Sequence, residues 1–450
     1  MNDTIASIAT SLGVGAISII RVSGNDSISI VNKLFQGHDL EKVESHTIHY
    51  GYIKDKENII DEVLVSVMKS PKTYTMEDVV EINCHGGIAT TNKVLELLLL
   101  NGCRLAEPGE FTKRAFLNGR IDLVEAEAVS DLINSETELE RKVAINGIKG
   151  NISSLIKKLR DELIKIISNI EVNIDYPEYQ DIYEVTINDI REKIPLIKNE
   201  LEEIVENYEQ SKLIHEGIKV AIIGRPNVGK SSLLNKLLNS EKAIVTDIPG
   251  TTRDIVEGIM YLDGVKLNII DTAGIRETDD IVEKIGVNKS IETIESANLV
   301  LLLLNNNEEL TEEDKILIDK TKYKTTIYVV NKNDLETKIK LDKNLSNVIS
   351  INTLDNKEIK ILKEKIRDLF QLDKINNSDF NYITNLRQIN KIKECLKIIS
   401  DIEEGINDDL ELDMLEMDLR EIWEQLGFIT GDSYDEELLD DLFKNFCVGK

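Results

Sequence analysis

Cysteine and cationic side chains are both scarce in this chain of 450 residues, and each shortage excludes a class of protein. The chain has no Cys-x-x-Cys pair, so neither a disulfide framework nor a zinc site is indicated. The cysteines, which fit a reduced cytosol, are Cys84, Cys103, Cys395 and Cys447. Lysine and arginine number 54 against 82 aspartates and glutamates, and the resulting net charge of −28 argues against a broad, non-specific grip on nucleic acid.

Long apolar runs are lacking as well. The longest, 97–100 and 299–304, are far too short to span a bilayer, and the first residues carry no basic segment of a secretory signal. We therefore expect a cytoplasmic protein without membrane association. The length allows two or three domains whose cores need no disulfide. The acidic residues crowded into 401–421 indicate a solvated helix face rather than a docking surface for a basic partner.

The clearest motif present is Gly224 to Ser231, which reads Gly-Arg-Pro-Asn-Val-Gly-Lys-Ser and matches the phosphate-loop pattern G-x-x-x-x-G-K-[ST]. In such a loop the backbone N–H groups turn inward on phosphates. Lys230 carries charge to the outer phosphates, and the Ser231 hydroxyl can bind Mg²⁺. An apolar run precedes the loop and helical spacing follows it, which would place the phosphates at a helix N-terminus.

Three later stretches specify the nucleotide. Asp271 to Gly274 follows an apolar strand and would report the third phosphate. Asn331 to Asp334 closes another strand, and its final carboxylate can accept from both N1–H and the 2-amino group of guanine. Gly250 to Asp254 has the position of a switch loop, in which Thr252 would complete the Mg²⁺ shell. The nucleotide-binding residues predicted from these motifs are Asn227, Val228, Gly229, Lys230, Ser231, Ser232, Gly250, Thr251, Asp271, Thr272, Ala273, Gly274, Asn331, Lys332 and Asp334. Together they predict a GTPase domain that prefers GTP to ATP.

The residue that orients the attacking water is less plain. Ras-like GTPases place a glutamine directly after the glycine of the Asp-x-x-Gly motif, but this chain has Ile275 there. Glu283 is a candidate for the role. A solvated glutamate at the start of a helix is the simpler interpretation from the residues alone.

The periodicity predicts a multidomain chain. An α+β N-terminal domain occupies 1–118, all-α helical segments occupy 119–216 and 374–450, and an inserted Ras-like α/β P-loop GTPase domain occupies 217–373. Each helical segment alone has few layers in which to bury its apolar stripes, so we expect the two segments to pack together. Strands are predicted in the N-terminal domain at 16–22, 46–53, 63–68 and 79–83.

Three further clusters, at 75–87, 107–127 and 446–450, carry unusual chemistry for their length. They include the runs Glu-Pro-Gly-Glu-Phe-Thr-Lys-Arg-Ala-Phe-Leu-Asn-Gly-Arg and Cys-Val-Gly-Lys. With the phosphate loop and the run Ile-Val-Thr-Asp-Ile-Pro-Gly-Thr-Thr-Arg-Asp, they are highly specific. Over essentially its whole length the chain resembles the MnmE family, also called TrmE, of bacterial and organellar tRNA-modifying GTPases.

The resemblance implies a homodimer formed through the N-terminal domain, which would bind a 5-formyl- or methylene-tetrahydrofolate. With the flavin-containing partner MnmG (GidA), in a heterotetramer, such proteins install an aminomethyl-type (carboxymethylaminomethyl) group at C5 of the wobble uridine of tRNA. The folate contacts would fall on Arg21, Glu81, Arg120 and Lys450. Their chemistry suits that ligand, because a carboxylate can accept from pterin N–H groups and arginines can pair with carbonyl or glutamate-tail oxygens.

The resemblance also implies a K⁺ ion beside the phosphates. It would be held by Asn227 and by the loop that comprises Thr246, Asp247, Ile248, Pro249, Gly250 and Thr251. A cation at that position can do the work of an arginine finger and would leave Glu283 to orient the water. Family members pair their GTPase domains across the dimer, so we expect communication between that pairing and the folate pocket.

Two departures from the family pattern and the C-terminal cysteine complete the expectations. Asn352, Thr353 and Leu354 stand where Ser-Ala-Lys or Ser-Ala-Arg is usual, although the Thr353 N–H can still reach guanine O6, and Arg120 stands where some members have lysine. For Cys447 a catalytic or structural role competes with that of a frayed tail. The main alternative function is an RNA-binding, ribosome-assembly GTPase or a GTP-switched scaffold without modification chemistry.

Overall fold

The computed structural model describes residues 3–175, 180–238, 256–270, 293–342, 344–372, 383, 385–408, 412–434 and 436–449. The chain divides into two compact units. The first comprises Met1–Asn134, Ala144–Val205 and Asn385–Lys450, and the second comprises Ser135–Val143 and Glu206–Thr384. Each unit is therefore built from stretches that are separated in the sequence.

The strands in the described part of the chain are β1 (Ile5–Ile8), β2 (Ile17–Ser23), β3 (Phe35–Gln36), β4 (Thr47–Asp55), β5 (Asn58–Met68), β6 (Val79–His85), β7 (Arg104–Leu105), β8 (Ile218–Ile223), β9 (Val256–Leu262), β10 (Val265–Ile270), β11 (Leu299–Asn305), β12 (Thr326–Asn331) and β13 (Val348–Ile351). The helices are α1 (Ser27–Leu34), α2 (Ile88–Leu100), α3 (Glu110–Leu117), α4 (Leu123–Asn134), α5 (Glu138–Ile148), α6 (Asn151–Asp175), α7 (Gln180–His215), α8 (Lys230–Leu238), α9 (Glu312–Thr321), α10 (Asn356–Phe370), α11 (Leu386–Asn407), α12 (Leu412–Thr430) and α13 (Glu436–Lys444).

The first unit contains a seven-stranded sheet in the order β3-β4-β5-β6-β2-β1-β7. Its pairs are antiparallel except for β1 and β7, which are parallel. Alternate residues face opposite sides of a strand. Ile20 and Ile82 consequently lie in a core that also takes Ile28 and Val31 of α1 and Leu97 of α2. The residues between them in β2 and β6 face the other side of the sheet.

The helices of the first unit form a second core. Helix α12 packs against both α6 and α11, so segments from before and after the second unit lie together, as predicted. The apolar stripe of α12 is fully buried at Leu415, Leu419, Ile422 and Leu426. The Arg160 guanidinium of α6 lies 4.1 Å from the centroid of the Trp423 ring of α12.

The second unit contains a six-stranded sheet in the order β13-β12-β11-β8-β10-β9, which is parallel except for the pair β9 and β10. Every residue of β11 and β12 is buried, as expected for a parallel sheet that is covered on both faces. One face packs against α8 and α10 and the other against α9. The neighbours of β8 are β10 and β11, so the strand order reverses at β8. Ligands of open α/β sheets bind at such a point, beyond the carboxyl ends of the strands.

Candidate nucleotide and N-terminal ligand sites

The phosphate loop joins the end of β8 to the start of α8 and depends on two glycines. Gly224 and Gly229 have φ angles of +145° and +107°, which residues with a side chain rarely adopt. Asn227 also has a positive φ, of 64°. A Cβ on Gly224 would lie 2.5 Å from the carbonyl oxygen of Leu303 in β11. One on Gly229 would collide with the side chain of Asn331 in β12. Close packing against both strands therefore requires glycine at these positions.

The charged group of the loop is Lys230, the first residue of α8. Its Nζ donates to the carbonyl oxygens of Gly224, at 2.7 Å, and Arg225, at 2.8 Å. Burial lowers the pKa of Lys230. The Ser231 side chain is exposed in the first turn of the helix, where backbone N–H groups and the helix dipole favour an anion. An ammonium and a hydroxyl side by side suit a phosphate and a hard cation such as Mg²⁺.

Asn331 ties three loops together at the end of β12. It is 2% exposed, and its Nδ2 donates to the Val228 carbonyl oxygen at 2.7 Å. Its Oδ1 accepts from the Thr353 N–H at 2.9 Å. Lys332 Nζ donates to the Asn227 carbonyl oxygen at 3.1 Å. We expected the Thr353 N–H to reach guanine O6. In this structure it donates to Asn331 Oδ1 instead.

The loop after β13 is held by Glu358, which sequence analysis missed. Its Oε2 accepts from Asn333 Nδ2 at 2.9 Å and also from the Asn352 N–H. Asn352 Oδ1 in turn accepts from the Leu354 N–H at 2.9 Å. Asp355 and Glu358 have the spacing of a capping pair at the start of a helix. That spacing could have identified Glu358 from the sequence as a residue that binds the backbone of the preceding loop. Asp334, which follows Asn333, is exposed.

Several predicted residues lie outside the described residues, and their roles stay predictions. They are Thr246, Asp247, Ile248, Pro249, Gly250, Thr251, Thr252, Asp271, Thr272, Ala273, Gly274, Ile275, Glu283 and Lys450. Within the described part of the chain, no group of three or more His, Cys, Asp or Glu side chains could hold a metal ion. No helix there is long and apolar enough to cross a membrane.

In the first unit, Arg21 and Glu81 lie directly opposite each other on β2 and β6. Glu81 Oε1 accepts from Arg21 Nε at 2.9 Å and lies 2.8 Å from Arg21 Nη2. Both side chains are half-buried on the face of the sheet that points away from the core of α1 and α2. On the same face, Ile19 and Asn83 are also partly open to solvent, whereas Ser23 and Val79 at the other end of the strand pair are buried.

Arg120 reaches the same place through Tyr74. The Arg120 guanidinium lies 4.7 Å from the centroid of the Tyr74 ring, and its Nη1 donates to the Tyr74 carbonyl oxygen at 3.1 Å. The Arg21 guanidinium lies 5.6 Å from the same centroid. The structure thus brings together Arg21, Glu81 and Arg120 around Tyr74. Sequence analysis missed Tyr74 although it directly precedes the cluster at 75–87.

The C-terminal tail ends at this group and is not frayed in its described part. Arg21 Nη1 donates to the Gly449 carbonyl oxygen at 3.3 Å, and the Gly109 N–H donates to the Cys447 carbonyl oxygen, also at 3.3 Å. Gly449 is buried with φ +97°, and a Cβ there would lie 2.5 Å from the Ile8 carbonyl oxygen. The Cys447 side chain is exposed. We call Arg21, Glu81, Tyr74, Arg120 and Gly449 the N-terminal site.

A mostly parallel sheet with a phosphate loop after β8 and an Asn-Lys-x-Asp sequence that begins at the last residue of β12 defines a P-loop GTPase of Ras-like fold. Residues 123–447 match the family model described as MnmE helical domain, and residues 4–120 match that described as GTP-binding protein TrmE N-terminus. The chain belongs to the MnmE family.

Curated relatives match the chain end to end. A protein of Bacillus cytotoxicus named tRNA modification GTPase MnmE is 51% identical over 455 residues, covering 100% of this chain and 99% of its own. The protein of that name from Bacillus subtilis (strain 168) is 50% identical over 458 residues and covers 100% of both chains. Among solved structures, the G domain of the T. maritima FeoB iron transporter is 30% identical over 34% of this chain and 97% of its own, with a TM-score of 0.26.

Proposed function

We propose that this chain is a potassium-dependent GTPase that acts with a flavin-containing partner on tRNA. It uses a tetrahydrofolate one-carbon unit to install an aminomethyl-type group at C5 of the wobble uridine. The convergence of Arg21, Glu81, Arg120 and the C-terminal tail in the N-terminal site is the observation that carries the folate part of this proposal. The name of the curated relatives, tRNA modification GTPase, supports the tRNA part.

The nucleotide site supplies the GTPase part. Lys230 and the first turn of α8 would meet the phosphates, and Ser231 with Thr252 would hold Mg²⁺, which offsets phosphate charge when bound. Asp334 would accept from N1–H and the 2-amino group of guanine. Asp334→Asn should weaken GTP and favour XTP, because an amide can donate to the extra carbonyl of xanthine. An unchanged preference in a nucleotide competition assay would remove Asp334 from the base site.

Potassium dependence is proposed from the family relation and from Asn227 of the phosphate loop. Asn227, exposed in the phosphate loop, would hold K⁺ together with Thr246, Ile248 and Thr251, and the ion would supply positive charge beside the phosphates. Glu283 would orient the water in place of the missing glutamine. GTP turnover should fall sharply when K⁺ is replaced by Na⁺ at equal ionic strength. Equal rates in the two buffers, or wild-type rates for Asn227→Ala, would contradict the mechanism.

Folate binding follows from the chemistry of the N-terminal site. Glu81 can accept from the N–H groups of a pterin, and the Arg21 and Arg120 guanidiniums can pair with ligand oxygens. Among the described residues of the N-terminal site, two guanidiniums against one carboxylate leave an excess of positive charge, which favours an anionic ligand in a chain whose overall charge is −28. The Cys447 side chain is exposed, and the roles of Cys447 and Lys450 stay proposals.

Calorimetric titration with 5-formyl-tetrahydrofolate tests the proposal. Loss of one charge-assisted hydrogen bond costs about 1.5 to 3 kcal/mol, so Arg21→Ala should weaken folate binding roughly tenfold or more. Arg141→Ala is the matched control, because Arg141 pairs only with its exposed neighbour Glu138 on α5 among the contacts described. Unaltered folate binding by Arg21→Ala would move the ligand elsewhere.

A ribosome-assembly GTPase or a GTP-switched scaffold would share every nucleotide contact. Such a protein has no reason to bind a folate, so a parent protein that shows no folate binding in the same titration would favour it. The homodimer, the heterotetramer with MnmG (GidA), the cytoplasmic location and the domain limits at 118, 216 and 373 belong to the proposal. Each follows from the family relation or from the sequence pattern.

A further inference from the structure

Tyr74 is the residue on which the two arginines of the N-terminal site meet. It lies between β5 and β6, and its ring contacts both guanidiniums. Its hydroxyl lies 2.9 Å from Thr112 Oγ1 of α3, a distance at which either oxygen can donate. The ring is half-buried and also packs against Ile5 and Phe111. The Tyr74 hydroxyl and ring are therefore both held by neighbours, while the ring also contacts two cations.

The chain beside Tyr74 is held by a buried polar network. Thr75 Oγ1 lies 2.7 Å from Ser23 Oγ on β2, and Ser23 Oγ also donates to Glu77 Oε2 at 2.7 Å. Glu77 accepts in turn from Arg114 Nη1 of α3 at 3.1 Å, and Arg114 is 1% exposed. Asn118 Nδ2 donates to the Thr75 carbonyl oxygen at 2.7 Å. The backbone that carries Tyr74 is thus anchored to the sheet and to α3 before any ligand arrives.

The charges of Arg21 and Arg120 indicate what the Tyr74 ring does in the N-terminal site. Two guanidiniums that contact one ring repel each other, and Glu81, the carboxylate among the described residues of the N-terminal site, pairs with Arg21. The negative face of an aromatic ring attracts a cation and can hold the exposed Arg120 near its like-charged neighbour. We infer that Tyr74 is a positioning residue of the N-terminal site, which orients Arg21 and Arg120 toward the same anionic folate. The inference rests on the proposed function.

A purely structural role for Tyr74 makes a different prediction. If the ring served only to fill space beside Ile5 and Phe111, its removal would lower stability and leave the effect of Arg120 on folate binding unchanged. If the ring orients the arginines, the effects of Tyr74 and Arg120 on folate affinity must be coupled, because each acts through the other. Phenylalanine should substitute for tyrosine in the second case, because it keeps the aromatic face.

The experiment is a double-mutant cycle measured by calorimetry with 5-formyl-tetrahydrofolate. Tyr74→Leu should weaken binding about tenfold, from the loss of two cation–π contacts, whereas Tyr74→Phe should stay within about threefold of the parent. Tyr74→Leu combined with Arg120→Ala should lose less than the product of the two single losses. Tyr323→Leu, the same change at a tyrosine that is 96% exposed, is the matched control.

The outcomes separate the inference from the function on which it rests. No folate binding by the parent would overturn the proposed function and the inference with it. Folate binding by the parent that Tyr74→Leu leaves unchanged, or losses that multiply in the double variant, would overturn the inference alone. If thermal melting shows that Tyr74→Leu does not fold, Tyr74→Met replaces it in the cycle, since a flexible apolar chain keeps the packing without the aromatic face.

Discussion

At the scale of single residues, the scarce cations are placed against carboxylates that hold them in one orientation. Arg225 of the phosphate loop donates to Asp314 and Glu308, each at 2.9 Å, which fixes a loop residue to the start of α9. Some of the excess carboxylates therefore stabilise the fold, because burying an arginine without a carboxylate partner costs free energy. In the N-terminal site, the Arg21 and Arg120 guanidiniums both contact the Tyr74 ring and also point to a ligand.

The imidazole of His85 offers a prediction at this scale. Its Nδ1 lies 2.7 Å from Asp61 Oδ1, and the hydrogen bond and charge of that carboxylate raise the pKa of His85. A raised folded-state pKa means that the pairing stabilises the fold below the unfolded pKa of about 6.5 and that this contribution is lost as pH rises through the folded pKa. Asp61→Asn should therefore lower the pKa of His85, as measured by NMR titration of its ring protons. An unchanged titration would show that the pair does not form in solution.

At the scale of secondary-structure elements, the sequence predicted most of what alternation or motif spacing specifies. The strands expected at 16–22 and 79–83 are β2 and β6 within two residues at each end. Strand β5 begins at Asn58, five residues before the predicted start at 63, because the chain turns at Lys56, with φ 55°, and pairs from Asp55 onward. Strand β1 was missed because four residues, three of them buried in succession, show no alternation. Pairing with β2 and β7, which no local pattern shows, determines it.

The link between β12 and the phosphate loop gives a prediction for an element contact. Asn331→Ala would leave two groups at a buried position without their partner. These are the Val228 carbonyl oxygen, which accepts from Asn331 Nδ2, and the Thr353 N–H, which donates to Asn331 Oδ1. An unsatisfied buried polar group costs about 1 to 3 kcal/mol, so the variant should bind GTP at least about tenfold more weakly and melt at a lower temperature. Fluorescent-nucleotide titration measures the first effect. Asn356→Ala, which removes the exposed contact with Lys236, should change neither quantity appreciably.

The docked tail gives a second prediction for an element contact. Gly449→Ala would place a Cβ against the Ile8 carbonyl at a positive φ, so the tail should leave β1 and Arg21 should lose an acceptor. Because only the tail moves, overall stability should change little while the affinity for 5-formyl-tetrahydrofolate falls several-fold. Hydrogen exchange of the Gly109 N–H, which donates to Cys447, reports the release directly. A slow exchange rate equal to that of the parent would show that the tail tolerates the methyl group.

At the scale of the whole molecule, the ligand sites depend on contacts that the sequence pattern does not contain. Arg21 and Gly449 stand at opposite ends of the chain, yet one donates to the other. The motif resemblance implied that Arg21, Glu81 and Arg120 share a ligand, but Tyr74 and Glu358 emerged only from tertiary geometry. Helical periodicity predicted that the two helical segments carry apolar stripes, and the need to bury both stripes predicted that the segments pack together. Which polar residues lie across such contacts is decided by packing, which periodicity does not encode.

One such buried contact joins the helices on either side of the second unit in the sequence. Glu127 of α4 accepts from Arg387 at the start of α11, at 2.9 Å from Oε1 to Nε and 3.1 Å from Oε2 to Nη2. Gln388 also donates to Glu127, and Arg387 Nη1 donates to the Phe428 carbonyl oxygen at 2.7 Å. Burial raises the pKa of Glu127 against the opposing effect of Arg387. The carboxylate is thus the counter-charge for an arginine that is largely buried.

Removing the Glu127 carboxylate should lower the free energy of unfolding of the first unit. Breaking one partner of a buried pair costs about 3 to 5 kcal/mol, so Glu127→Gln should lower the urea midpoint of this unit markedly. Trp423 is the single tryptophan of the chain and lies on α12, so its fluorescence follows the first unit. Glu394→Gln, which breaks the exposed pair with Lys391 on α11 of the same unit, should shift the midpoint little, since such pairs contribute about 0 to 1 kcal/mol. Equal midpoints for the two variants would show that the pair of Glu127 and Arg387 does not hold the segments of this unit together.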